Sequence, residues 1–362
     1  MKFDPSPFSS AGSTHLKSEN SSASPLTAPM PSRRRILKSL CACCAGFAIA
    51  PAGLSLLAAA DRAEAATAQG TIRVGHLPAG CVSHLLLAKA RGMFEKAGIN
   101  AQLTQFNGPD KNILALQSGN VDVAHNPWTT TIAAYADNSK NLRIVGGSGL
   151  AGIELVARAG SVKNVNEFVA AAGKGLRVGT LRLDTLELVA YGTMAMHGKK
   201  YDDYAMQFFP SMVGMGEAIA SSAVDVCSLA QPYAESVVVQ NNAVYLANSN
   251  DVWGPAAPDC VINSTDAFIA KNGELLTAYQ RVLVAAAKDF YGDFDAAIKD
   301  LQPIYGAPKE ILAVALRRQA PNPVIGDAGA AGIRNGVKYL IDLGYLKTNV
   351  TDEVLDLKFQ PA

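Results

Sequence analysis

Residues 71–99 read TIRVGHLPAGCVSHLLLAKARGMFEKAGI. The β-branched and apolar residues of Ile72–Gly75 predict a short strand, and Gly75, Pro78 and Gly80 predict a loop. Leu86, Ala90, Met93, Phe94 and Ala97 then fall on one face of a helix that Gly98 ends. A strand followed by a loop and a helix leaves the free N–H groups of the helix start beside the C-terminal end of the strand. In an open α/β sheet that end is where ligands sit.

The alternation continues outward from this stretch. Strands are predicted near 101–106, 121–124, 142–145 and 153–158, with a helix over 110–118 capped by Asp110 and another over 129–136. A second run repeats the plan, with strands over 176–179, 205–209 and 224–227 and helices over 164–172, 185–197 and 216–221. LQSGNVDVA (116–124) and IASSAVDVC (219–227) echo each other, and each is followed by a Pro-aromatic pair, Pro127-Trp128 and Pro232-Tyr233. From Gly273 onward the pattern is helical, over 275–291, 294–300, 309–318 and 332–343, after a crossover near 258–262. The fold class is therefore α/β, with sheets covered on both faces. The expected organisation is an export signal with an N-terminal extension over 1–65, a first lobe over 66–160, a second over 161–257, and a return to the first lobe over 258–362.

Of the 362 residues 17% are charged and 49% hydrophobic, enough for two compact units. Residues 1–65 hold 7 of the 32 Lys/Arg and 4 of the 31 Asp/Glu, so the remainder carries 25 against 27, a net charge of −2. No basic stripe points to nucleic acid. SRRRILK (32–38) resembles the twin-arginine export motif, Leu40–Ala60 is apolar but interrupted by Pro51, and Ala63-Glu64-Ala65 offers a cleavage site. Translation from Met30 and a processed chain beginning near Ala66 are expected. A retained anchor is the alternative, disfavoured by Pro51. Cys41, Cys43 and Cys44 fall in the signal, leaving Cys81, Cys227 and Cys260: at most one disulfide and at least one free thiol.

GHLPAGCVSHLLLAKARGMFEKAGI, ILALQSGNVDVAHNPW, LRVGT and VDVCSLAQPYAES together resemble the periplasmic substrate-binding proteins of nitrate, sulfonate and taurine ABC importers. The resemblance implies a two-lobed type II periplasmic-binding fold, with a ligand cleft between lobes and a C-terminal helical cover on the first. It further implies a monomeric, non-catalytic, cofactor-free receptor that hands a small molecule to an inner-membrane ABC permease. Two other readings remain open. One is a sensor docking on a membrane kinase; the other is an enzyme related to thiamine-pyrimidine synthesis, whose cysteine-dense stretch this chain lacks.

Candidate ligand residues are those at predicted strand exits. The first run supplies His76, Ser83, His84, Asn107, Asn126 and Trp128; the second supplies Arg182, Asp184, Thr185, Gln231 and Tyr233. Asp259 and Glu154 lie near the crossovers. Arg182 suits an anionic group because guanidinium presents paired donors. Asp184 either orients Arg182 or caps the following helix. Trp128 and Tyr233 either wall the apolar part of a ligand or pack at a helix start. The three cysteines also fall near the cleft, but no close-spaced Cys/His motif accompanies them. A small organic anion or a zwitterion of the taurine type satisfies these residues.

Overall fold

A computed structural model describes residues 70–361. The predicted signal, its twin-arginine motif and its cleavage site lie outside the described residues. Eleven strands run in chain order as β1 (Gly70–His76), β2 (Ile99–Gln105), β3 (Val123–Pro127), β4 (Leu142–Leu150), β5 (Ile153–Ala157), β6 (Arg177–Thr180), β7 (Ala205–Phe208), β8 (Val226–Ala230), β9 (Val244–Asn248), β10 (Cys260–Thr265) and β11 (Ala320–Pro321). They form a six-stranded sheet, ordered β11-β4-β10-β3-β1-β2, and a five-stranded sheet, ordered β7-β6-β8-β5-β9.

The two sheets share a local plan. β1 lies between β2 and β3, parallel to both, with Val74 opposite Val123 and Gly75 opposite Ala124. β6 likewise lies between β7 and β8, with Val178 opposite Val226 and Gly179 opposite Cys227. The entry ends of these strands are tied alike. Arg73 gives its main-chain N–H and its Nε to Asp122 Oδ2 at 2.8 and 3.0 Å, and Arg177 does the same to Asp225 Oδ2 at 3.1 and 3.0 Å. The V-D-V echo in the sequence is thus half of a two-part staple, whose other half is the R-V-G of β1 and β6.

Each sheet also has antiparallel strands. β10 runs between β3 and β4, and β5 between β8 and β9. β10 was expected as a crossover, and β9 not at all. Pairing on both edges makes β10 a buried strand although it carries Asn263 and Ser264, both fully buried. It also extends β3 to Pro127, so His125 and Asn126 belong to a strand and not to an exit loop. Asp110 is not the cap of its helix. The helix spans Pro109–Gln117, Gly108 is the N-cap, and Pro109 occupies the first turn where no N–H donor is needed.

The long helix Asp266–Gly292 packs on helix Ser83–Ala90, covering the six-stranded sheet. The later helices also reach the other sheet: Lys309–Arg318 lies against Tyr233–Asn241, and Asp327–Asp342 against Thr185–Ala195. Trp128, Tyr279, Phe94 and Phe290 are fully buried in the apolar core. No helix among the described residues is long and apolar enough to cross a membrane.

Candidate functional site

The C-terminal ends of the central strands of both sheets meet at an inner chamber. Its walls are the segment after β1 (Leu77, Pro78, Ala79, Cys81), the segment after β2 (Asn107, Gly108, Pro109), Pro127, Ile153, the segment after β6 (Leu181, Asp184, Thr185, Leu186), Met212, Ala230, Asp259, Cys260 and Gln319. Free space within it is about 20 Å³, room for about one water or a group of that size. Hydrogen bonds hold the two sides together. Gly80 N–H donates to Gln231 O at 2.7 Å, and Thr129 and Thr130 hydroxyls donate to Leu183 O at 3.2 and 3.0 Å.

Two carboxyl groups and no Lys, Arg or His line this chamber. Asp184 caps helix Thr185–Ala195, its Oδ1 accepting from Leu186 N–H at 3.0 Å and from the Thr185 hydroxyl at 3.1 Å. Of the two roles expected for Asp184 the structure places it in the cap, because its oxygen is committed to the helix start. Asp259 Oδ2 accepts from Gly152 N–H at 2.7 Å and from Gln319 Nε2 at 3.4 Å. Its Oδ1 is buried without a partner, as is Gln319 Oε1. Burial pushes both carboxyls up to about 7, because leaving water penalises the charged form.

Arg182 does not line the inner chamber. It is exposed, with its guanidinium 4.1 Å over the ring of Phe208. It lines instead an outer cavity of about 380 Å³ with Lys111, Asp110, Leu183, Phe209 and Pro210. Gly108, Pro109 and Leu181 are walls of both spaces, so the acidic chamber and the basic cavity adjoin.

Of the other candidates, Asn107, Thr185 and Asp259 line the inner chamber. His76 ends β1, its Nδ1 3.1 Å from Leu77 O, and burial lowers its pKa. Ser83 and His84 lie inside helix Ser83–Ala90, buried, with Ser83 Oγ and both His84 ring nitrogens unpartnered. Desolvation drops His84 to about 3, which keeps the ring neutral. Asn126 donates to Pro109 O at 3.2 Å and accepts from Asn112, holding the segment after β2 against β3. Trp128 is core: its ring meets Trp253 edge-on at 5.7 Å. Gln231 Nε2 lies 3.3 Å from the Tyr245 hydroxyl. Tyr233 lines a separate groove of about 340 Å³ with Tyr305 and Pro308. Glu154 faces neither solvent nor the chamber; it is buried and receives Arg318 Nε at 2.6 Å.

Sequence reasoning missed Gln319 and Met212. Gln319 follows helix Lys309–Arg318 and reaches Asp259 across 60 positions, a contact that no local pattern announces. Among the described residues no group of three or more His, Cys, Asp or Glu is placed to hold a metal.

A family model described as the NMT1-like family matches residues 65–301. The chain belongs to the NMT1-like family. No curated protein matches this NMT1-like chain. Solved structures share its fold. A ligand-binding component of an ABC-type import system from Staphylococcus aureus, with zinc bound, superposes at a TM-score of 0.70 and 17% identity, covering 80% of this chain and 98% of that one. The periplasmic aliphatic sulphonate-binding protein SsuA from Escherichia coli gives 0.69 and 17%, covering 81% and 94%. The periplasmic nitrate-binding protein NrtA from Synechocystis PCC 6803 gives 0.69 and 14%, covering 80% and 87%. The NMT1-like protein therefore has the periplasmic-binding-protein fold expected from its sequence.

Proposed function

We propose that the protein is the solute-binding receptor of an ABC importer, exported to the periplasm by the twin-arginine route, and that it captures a small zwitterion between two lobes. In this reading the lobes are built on the two sheets, and the loaded protein docks on an inner-membrane permease as a monomer without catalysing a reaction. The family, the fold and the binding functions of the structural neighbours support the receptor role.

One observation carries the ligand class: a water-sized chamber with two buried carboxyls opens beside a larger cavity bearing Arg182 and Lys111. A primary ammonium matches the first in size and, with the carboxyls ionised, in charge, and two of its three donors find free acceptors in Asp259 Oδ1 and Gln319 Oε1. A sulfonate or carboxylate matches the second, where guanidinium and ammonium donors face water. Neither space alone suits both ends of an aminosulfonate. An inorganic anion such as nitrate leaves the acidic chamber unused.

Calorimetric titration tests this with 2-aminoethanesulfonate, ethanesulfonate and ethylamine. The zwitterion is expected to bind at least 10-fold more tightly than either half, with Asp259→Asn weakening the amine's contribution and Arg182→Ala the anion's. Equal binding of ethanesulfonate and the zwitterion would refute the role of the carboxyls.

A further inference from the structure

Cys81 and Cys260 are 179 positions apart in the chain, yet their Sγ atoms stand 2.7 Å from each other. Both are nearly fully buried, and both line the inner chamber. The approach is fixed by main chain as well as by side chain. Cys260 opens β10 opposite Gly149 of β4, and Cys81 is pressed on the same residue: a Cβ on Gly149 would come within 2.6 Å of Cys81 Cα. Gly149 thus lets two remote backbone segments converge on one point of one strand.

Two sulfurs sharing a metal ion sit farther apart than this, about 3.8 Å for bonds of about 2.3 Å at a tetrahedral angle. No third ligand group stands with them among the described residues. A covalent bridge at about 2.05 Å asks the pair to close by only about 0.7 Å from the observed 2.7 Å. Cys227 sits apart, buried in β8 of the other sheet, and has no thiol partner.

We infer that Cys81 and Cys260 form a disulfide in the wall of the ligand chamber, with Cys227 remaining a free thiol. The oxidant is itself a disulfide, either glutathione disulfide or the disulfide of an oxidoreductase. One cysteine thiolate attacks a sulfur of the oxidant and releases its first thiol, forming a mixed disulfide. The second cysteine attacks the bonded cysteine sulfur and releases the other thiol. The two protons leave on the two released thiols, and the two electrons reduce the oxidant's S–S bond. The bridge ties the segment after β1 to the residue following Asp259, so the redox state of the pair reaches the carboxyl that shapes the chamber.

The test is thiol counting on the exported wild-type chain, before and after treatment with glutathione disulfide. The protein is denatured without reductant, alkylated with a maleimide and mapped by peptide mass. Denatured and labelled in this way, the processed chain is expected to take one label, on Cys227, and to yield a Cys81–Cys260 linked peptide; three labels are expected only after reduction. Labels on Cys81 and Cys260 after glutathione disulfide treatment overturn the inference. So does a stable glutathione adduct on either cysteine, because a partner at bridging distance would resolve it. No substitution is needed, so a misfolded variant cannot imitate either result.

Discussion

Asp259 and Asp184 show what it takes to hold a carboxyl out of water in the wall of the inner chamber. Each is fully buried and each is lifted from 3.8 to about 7. The folded chain therefore prefers both protonated. The stability this preference supplies is complete below about pH 4 and is lost as pH rises through about 7. The melting temperature of the unliganded protein is expected to fall between pH 5 and pH 8. In Asp259→Asn, whose amide oxygen can still accept from Gly152 N–H, about 1–3 kcal/mol of that fall should disappear. Identical profiles for wild type and variant would show that Asp259 does not titrate in this range. A cationic ligand reverses the preference, because its charge favours the carboxylates; its affinity is expected to climb over the same pH interval, with protons released on binding. His84 works in the opposite sense: burial keeps its ring neutral, so it adds no positive charge to the core.

At the scale of the element, Gly149 is the residue on which two remote segments meet. In Gly149→Ala the new methyl would face Cys81 Cα at 2.6 Å, a main-chain atom that cannot rotate away. A loss of about 1–3 kcal/mol is expected, read as a lowered urea midpoint; an unchanged midpoint would mean that the segment after β1 is freely displaced. The same scale decides what could be read from the sequence. The sequence placed β1, β2, β5, β6 and β7 to within two residues, whereas β4 runs on to Leu150, past its expected end at 145, through Gly146, Gly147 and Gly149, which no strand pattern announces. β10 stayed hidden because the partners that its polar residues donate to lie far along the chain: Asn263 donates to Ala124 O at 2.9 Å and Ser264 to Asp122 O at 2.9 Å. Trp128 and Tyr233 were indistinguishable by pattern, since each follows a proline at a helix start. Trp128 turns into the core against Trp253, whereas Tyr233 turns toward a groove. Asp184 was legible because a cap announces itself in the residue that precedes a helix; Gln319 was not, because its meaning lies in a carboxyl 60 positions away.

At the scale of the whole molecule, a Cys81–Cys260 bridge would close a loop spanning 179 positions, which takes in all of β2 to β9. Chain entropy assigns such a loop about 5 kcal/mol of stabilisation, more than most engineered bridges deliver. Adding reductant is therefore expected to lower the urea midpoint of the wild type while leaving that of Cys81→Ser unmoved. Equal midpoints with and without reductant in the wild type would show that no bridge forms.

The paired Arg–Asp staples have a longer reach than their own energies. Arg73–Asp122 and Arg177–Asp225 fasten the entry ends of the central strands, while the chamber is lined at and beyond the opposite ends of β1, β3, β6 and β8. Strand anchoring and chamber lining thus occupy different termini of the same strands and can be revised separately. Under the proposed receptor role, mutations in the chamber would exchange one ligand for another without touching the clamps of the two sheets. A scaffold partitioned in this way can diverge almost completely in sequence while keeping its outline. Its structural neighbours agree: at 14–17% identity their superpositions stay near 0.7 while their names speak of zinc, sulphonate and nitrate.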